Sequence, residues 1–235
     1  MTTTNTTTFN LDLNNLVEEA FERCGSELRT GYDMRTARRS LNLLTIEWAN
    51  RGINLWTVDQ GVIDLTQGTI SYNLPVDTID LLDHVVRTGM GQSQSDINIT
   101  RISSSTYSTI PNKNAQGRPI QVWVDRQSGA TEPSGVAYPT INVWPAPDQS
   151  NYYSFVYWRL RRIQDAGNGV NTQDIPFRFL PCMVAGLAYY LSLKLPDALA
   201  RSEVLKAAYE EQWNFASTED REKASLRLAP REMFY

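Results

Sequence analysis

The sequence predicts an α+β protein. Two N-terminal and two C-terminal helices form a four-helix bundle, with an antiparallel β-sandwich or small barrel inserted between the pairs and an extended tail at the C-terminus. Three observations predict it. Apolar residues recur at alternating steps of three and four near both ends of the chain. From Leu55 to about Arg162 the period changes to two, in short β-rich runs separated by turn residues. Past Ser217 no sustained stripe remains.

The first eight residues, MTTTNTTT, form a polar low-complexity arm expected to be disordered unless something binds it. They have neither the basic start nor the apolar core of a signal peptide. In the first helix Leu13, Leu16, Val17, Ala20, Phe21 and Cys24 share a face; Asp12 suits its N-cap and Gly25 the left-handed residue past its end. Glu18, Glu19 and Glu22 fall on the outer face as solvated carboxylates. The second helix starts at Asp33 and carries Met34, Ala37, Leu41, Leu44 and Trp48 on its stripe. Arg35, Arg38 and Arg39 face away from that stripe, and Gly52 closes the helix. The two helices read as a hairpin pair whose stripes need burial against something else.

Eight runs then read as strands: NLWTV, GVIDL, TISYNL, DLLDHVVR, DINITRIS, PIQVWVD, PTINVW and YYSFVYWRLRR. In the sixth, Ile120, Val122 and Val124 share one face. The segment SSSTYSTIP holds one short helical turn, and Gln127 to Tyr138 reads as an exposed hairpin tip. Helices return after DAGNGVNTQ. The third starts at Asp174 or near Pro176, lines up Phe179, Met183, Gly186, Leu187 and Tyr190, and ends or kinks at Pro196. The fourth runs from Asp197 to about Ser217 with Leu199, Val204, Leu205, Ala208 and Trp213 as its apolar positions. The expected organisation is a polar arm (1–8), a helical bundle (9–54 and 174–217), a β domain (55–165) and a docking tail (218–235). Leu226, Leu228, Pro230, Met233, Phe234 and Tyr235 make that tail apolar enough to dock on a partner.

Composition narrows the function. A net charge of −4 opposes wrapping nucleic acid, which needs a clustered excess of Lys and Arg. Cys24 and Cys182 lie in apolar helical patterns and read as buried free thiols, in keeping with a reducing cytoplasm. The longest apolar run, Phe177 to Leu195, contains Arg178, Pro181 and Lys194; it reads as a buried amphipathic helix rather than a membrane span. Phosphate-binding loops, dinucleotide fingerprints, nucleophile elbows and zinc-protease motifs are missing from the sequence.

One stretch, PVDTIDLLDH, sets Asp77, Asp80 and Asp83 at intervals of three and ends on His84, the single histidine. The spacing suits one helical face and hence a site. It equally suits a strand with polar ends, with Asp80 and His84 on one face and Asp83 on the other. With no second imidazole to complete a zinc site, the strand reading stands, the aspartates mark a turn and polar edges, and His84 is structural. Trp123, Trp144 and Trp158, with nearby tyrosines, either fill the β domain or stack a sugar or base. In WRLRR, Arg159 and Arg161 share a face and, with Arg162, are candidate subunit or channel contacts or a solvated edge.

The order of segments resembles the head-to-tail adaptor (head-completion, tail accessory) proteins of short-tailed bacteriophages. The likeness is carried by ERCG followed by ARRSLNLLTIEWANRGINLW, by ISYNLP, by TRISSSTYSTIPNKNAQGRPIQVWVDR, by INVWPAPD and by DIPFRFLP, and spans about residues 9 to 217. The long β insertion departs from the smaller, mainly helical adaptors. The resemblance implies a non-enzymatic virion protein of the tail or neck, made in the host cytoplasm, without cofactor. It implies a ring of copies, commonly twelve, that binds the portal protein and extends the channel for double-stranded DNA, with no membrane partner. The ring would also present a platform to the next tail or nozzle protein. Leu226 through Tyr235 would then run onto the portal. The alternative is a β domain that binds a glycan or receptor through its aromatics.

Overall fold

Asp12 starts the first helix as its N-cap, its carboxylate accepting the Asn15 N–H at 2.8 Å. Gly25 ends it at φ 78°, where its own N–H and that of Ser26 cap the Glu22 and Phe21 carbonyls. A side chain at Gly25 would also run into the Arg201 guanidinium. The computed structural model describes residues 3–29, 31–52, 55–89, 91–126 and 138–221. It is α+β, with helices α1 (Leu13–Cys24), α2 (Gly31–Arg51), α3 (Ser104–Ser108), α4 (Leu180–Ser192) and α5 (Ser202–Glu219). The chain divides into two compact units, one of Met1–Leu55 with Gln164–Tyr235 and one of Trp56–Ile163.

In the first unit α4 is the hub. It is buried nearly all round, from Leu180 through Leu191, and α1, α2 and α5 each pack on it. The two N-terminal helices therefore bury their stripes on α4 instead of packing face to face as a hairpin pair. All six expected stripe residues of α1 are buried, as are Ala37, Leu41, Leu44 and Trp48 of α2. The C-terminal helix departs from expectation. Pro196–Arg201 is a 3-10 segment, and α5 begins only at Ser202. Leu199 and Val204 are 58% and 72% exposed, and Ala208 is exposed as well. The buried side is instead Tyr209 and Ala216, with Trp213 half-buried. Two stripes compete on α5, and α4 selects the one with the large aromatics.

The second unit holds two four-stranded sheets built from β1 (Val58–Asp64), β2 (Ser71–Asn73), β3 (Thr78–Thr88), β4 (Ser95–Asn98), β5 (Thr100–Ile102), β6 (Gln121–Asp125), β7 (Thr140–Trp144) and β8 (Tyr153–Arg161). The first has the order β1-β8-β3-β4 and the second β2-β7-β6-β5. Both are open; no barrel closes among the described residues. All pairs are antiparallel except β5 with β6, which is parallel. A single apolar cluster draws on both sheets, with Leu81 and Val86 from β3 and Phe155 and Tyr157 from β8 meeting Val122, Ile141 and Val143. Gly61 pairs with Tyr157, and any side chain there would overlap the tyrosine ring.

Three local readings change. Leu55–Thr57 is a 3-10 turn, so NLWTV is not a strand. Ile120 lies outside β6 and is 43% exposed, off the face that buries Val122 and Val124. The register of β3 shifts against β8 between Thr78 and Asp80 and again between Leu81 and Asp83. Those irregularities break the simple alternation expected for Asp80, Asp83 and His84. The short helical turn in SSSTYSTIP is α3, capped by the Ser103 hydroxyl. Residues 3–8 are exposed and carry neither helix nor strand. The hairpin tip at 127–137 and the tail from residue 222 lie outside the described residues.

Candidate functional site

The most elaborate polar constellation sits where α2, α4 and α5 meet. Trp48 and Glu47 are adjacent on α2, and Arg51 follows Glu47 by one turn, which lets the pair form along the helix. The buried Trp48 indole donates to the Tyr209 hydroxyl at 2.9 Å. That hydroxyl donates to Glu47 Oε1 at 3.1 Å, and Tyr190 donates to Glu47 Oε2 at 2.6 Å. Arg51 forks onto both carboxylate oxygens of Glu210 at 2.9 and 2.7 Å and also donates to Glu47. Its guanidinium lies 4.9 Å from the ring centroids of both Tyr209 and Trp213.

The electrostatics describe a clamp, not a reaction centre. Burial, aided by Glu47, pushes the Tyr190 hydroxyl up to about 12 and Tyr209 well above the usual phenol range. Both therefore stay protonated donors. The Arg51 fork holds the Glu210 carboxyl below its ordinary value. A general base or nucleophile needs a pKa near the working pH, and these shifts run the other way. Sequence reasoning missed this network. The spacing of Glu47 and Arg51 was its one visible sign, since Tyr190, Tyr209 and Glu210 join only through the packing of α4 and α5.

In the β unit the expected site residues come together differently. Arg159 bridges Asp77 at 2.5 Å and Asp59 at 3.3 Å, and Arg161 reaches Asp59 at 3.2 Å. The Arg159 and Arg161 side chains are only 13% and 15% exposed. Their common face, as expected from alternation, thus meets carboxylates of the same unit; Arg162 is exposed. Asp80 pairs with Arg101 at 2.7 Å and Arg126 at 3.7 Å. Asp77 and Asp80 therefore hold arginines across the unit as well as marking edges. Asp83 turns back to accept the His84 N–H.

His84 stacks on Phe155 at 5.7 Å, and both ring nitrogens are buried without a hydrogen bond. Burial lowers its pKa; Asp83 opposes that and Arg101 adds to it. Among the described residues no group of His, Cys, Asp and Glu is arranged to hold a metal ion. Two of the three tryptophans singled out, Trp123 and Trp144, make contacts within the unit. Tyr107 stacks on Trp123 at 5.1 Å, Lys113 Nζ lies 5.5 Å from the centroid of the Tyr107 ring, and Trp144 donates to the Asn112 carbonyl. Trp123, Trp144 and Trp158 are all half-buried. The expected docking residues Leu226, Leu228, Pro230, Met233, Phe234 and Tyr235 lie outside the described residues.

Among the described residues the polar groups singled out above are engaged in ion pairs and hydrogen bonds within their own units. Comparison with known families decides the class. The model of the SU10 adaptor protein family matches residues 12–231. The chain belongs to that family. It is a phage adaptor, a structural protein, and the match covers the helices and the β unit alike. No curated protein matches the chain. No helix among the described residues is long and apolar enough to cross a membrane.

Proposed function

We propose that this adaptor joins the phage head to its tail: copies bind beneath the portal protein, form a ring that extends the DNA channel, and present a platform to the next tail component in the neck of the virion. Membership of the adaptor family over most of the chain is the observation that carries the reading. The clamp at Glu47, Arg51 and Glu210 supports it, because a ring element that bears load benefits from helices pinned by fully paired polar groups. The weakly acidic composition suits a channel wall that lets DNA pass without holding it. Leu226, Leu228, Pro230, Met233, Phe234 and Tyr235 serve as the portal-docking segment, an apolar stretch that makes attachment depend on the partner. Arg162 is the member of its arginine group free to face a neighbour or the channel, as Arg159 and Arg161 are committed within the unit.

The test is binding to purified portal rings of the same phage, followed by electron microscopy. A ring-shaped layer beneath the portal supports the reading and counts the copies. Intact, folded protein that leaves portal rings bare defeats it. Deleting residues 226–235 is expected to leave both units folded and abolish attachment; a truncated protein that attaches normally removes the tail from the docking role.

A further inference from the structure

Two outward faces of the helical unit match each other in charge and spacing. On α2 the exposed positions recur as one helical stripe: Tyr32, Arg35, Arg39, Leu43 and Ile46. Tyr32, Leu43 and Ile46 are 64%, 53% and 49% exposed. Tyrosine, arginine and aliphatic side chains in one stripe have the composition of an interface core. On α1 the outward positions include Asn15, Glu18 and Glu22, with Arg23 exposed beside them. They border a recess of about 630 Å³ whose apolar side is formed by Phe9, Leu11, Pro181 and Val184, with Phe9 77% exposed.

Each face has a charge surplus. None of Arg35, Arg39, Glu18 and Glu22 has an ion-pair partner among the described residues, whereas Glu19 is paired with Arg23 at 2.9 Å. Lys194 adds a second cation near Arg39; burial first and then Arg39 lower its pKa, while Tyr32 opposes them. Arg35 and Arg39 are four residues apart, as are Glu18 and Glu22, so each pair spans about 6 Å of helix axis. Running α2 antiparallel to α1 of another molecule sets the two arginines against the two glutamates. The same arrangement carries Leu43 and Ile46 toward the apolar side of the recess. A polyanion such as duplex DNA suits this stripe less well, since Leu43 and Ile46 would be desolvated against phosphates and the cations gather at one end of it, at Arg35, Arg39 and the half-buried Arg38.

We propose that the α2 stripe of one copy docks antiparallel on the α1 face of the next, making the copy-to-copy contact of the adaptor ring. This deepens the ring reading above and rests on it. The contact joins two different surfaces, so it is heterologous, and repetition closes a ring or extends a filament. Tyr32, Leu43 and Ile46 supply the apolar area; the two Arg–Glu pairs set register, and the meeting of Leu43 and Ile46 with the apolar side of the recess sets direction. The masked charge also makes the association sensitive to salt.

Charge reversal tests it on the full chain. The variants are Arg35→Glu with Arg39→Glu, Glu18→Arg with Glu22→Arg, and all four together. All four side chains are exposed, and Arg35→Glu near the start of α2 and Glu22→Arg near the end of α1 both suit the helix dipole, so folding is retained. Sedimentation velocity at low salt, into the hundreds of micromolar, reads self-association; copy number on portal rings reads it in assembly. The wild type is expected to form head-to-tail multimers. Each double reversal should raise the concentration for half-association more than about tenfold, and the fourfold swap should bring it back to within a few-fold of wild type. An equimolar mixture of the two double reversals should also assemble, because each then meets its complement in the other.

A wild type that stays monomeric alone and does not form a layer of touching copies on the portal overturns the inference. So does self-association of either double reversal at the wild-type concentration, or a folded fourfold swap that fails to recover. If the arginine reversal loses duplex DNA binding while assembling normally, the face belongs to nucleic acid and the inference also falls. Multimers that ignore the portal would defeat the adaptor reading and leave this contact standing. A portal-bound layer untouched by the reversals would do the opposite.

Discussion

Replacing Tyr209 with Phe isolates the hydroxyl at the centre of the helical clamp. Tyr209 is 1% exposed and Trp48 fully buried, so no water replaces the lost group. The substitution removes the Tyr209 acceptor from the buried Trp48 indole N–H, a loss of about 1–3 kcal/mol. It also removes the hydrogen bond to Glu47 Oε1, worth about 1.5–3 kcal/mol for a charged acceptor. Glu47 keeps Tyr190 and Arg51, and the apolar ring no longer has a hydroxyl to desolvate, so the second loss is only partly felt. The net expectation is about 2–4 kcal/mol, or a fall of about 1–2 M in the urea midpoint at a slope near 2 kcal/mol/M. Because the chain has two units, hydrogen exchange of α2, α4 and α5 peptides in urea is the assay that assigns the loss to the right one. A double-mutant cycle with Trp48→Phe should show a coupling of about 1–2 kcal/mol. A midpoint change equivalent to less than about 1 kcal/mol, with coupling under about 0.5, would mean the hydroxyl does not join these helices.

Three further outcomes are expected. Below the unfolded-state histidine value of 6.5 the unfolded chain takes up a proton that buried His84 resists, so stability of the β unit is full above pH 6.5 and falls as the pH drops toward the lowered folded-state value. His84→Gln should flatten that slope while leaving assembly intact; an unchanged slope removes His84 as its cause. Arg159→Met should destabilise the β unit by about 2 kcal/mol and exceed the effect of Arg161→Met, since Asp77 is left without its partner whereas Arg161 still holds Asp59. Equal effects in urea titration would contradict the assigned pairing. Burial raises the thiols of Cys24 and Cys182 to about 11 and 12, so both should resist alkylation in the folded protein at mildly alkaline pH and react once denatured. Rapid native labelling of either would place it outside the core described.

The candidate surfaces were legible to different degrees. The outward charges of α1 and α2 could be read directly, because helical periodicity alone separates Glu18 and Glu22 or Arg35 and Arg39 from the buried stripes. The fate of Arg159 and Arg161 could not. Alternation put them on one face, but whether that face met solvent, a neighbour or Asp59 and Asp77 depended on which strands flank β8. The clamp was hidden for the same reason: Glu47 and Glu210 are far apart in the chain and meet only across packed helices.

By itself the sequence determined what short-range physics controls: the α+β class, the stripes of α1 and α2, the cap at Asp12, the turn at Gly25 and the small helix at Ser104–Ser108. These depend on periodicity and on hydrogen bonds within a few residues. The tertiary structure decided the rest. It ordered the strands as β1-β8-β3-β4 and β2-β7-β6-β5, made β5 and β6 parallel, and left the sheets open. It also chose Tyr209 and Ala216 over Val204 and Ala208 as the buried side of α5. Pairing partners and the choice between two apolar stripes are settled by contacts distant in sequence, where the energy lies in fitting α4 or a neighbouring strand and leaves no local trace.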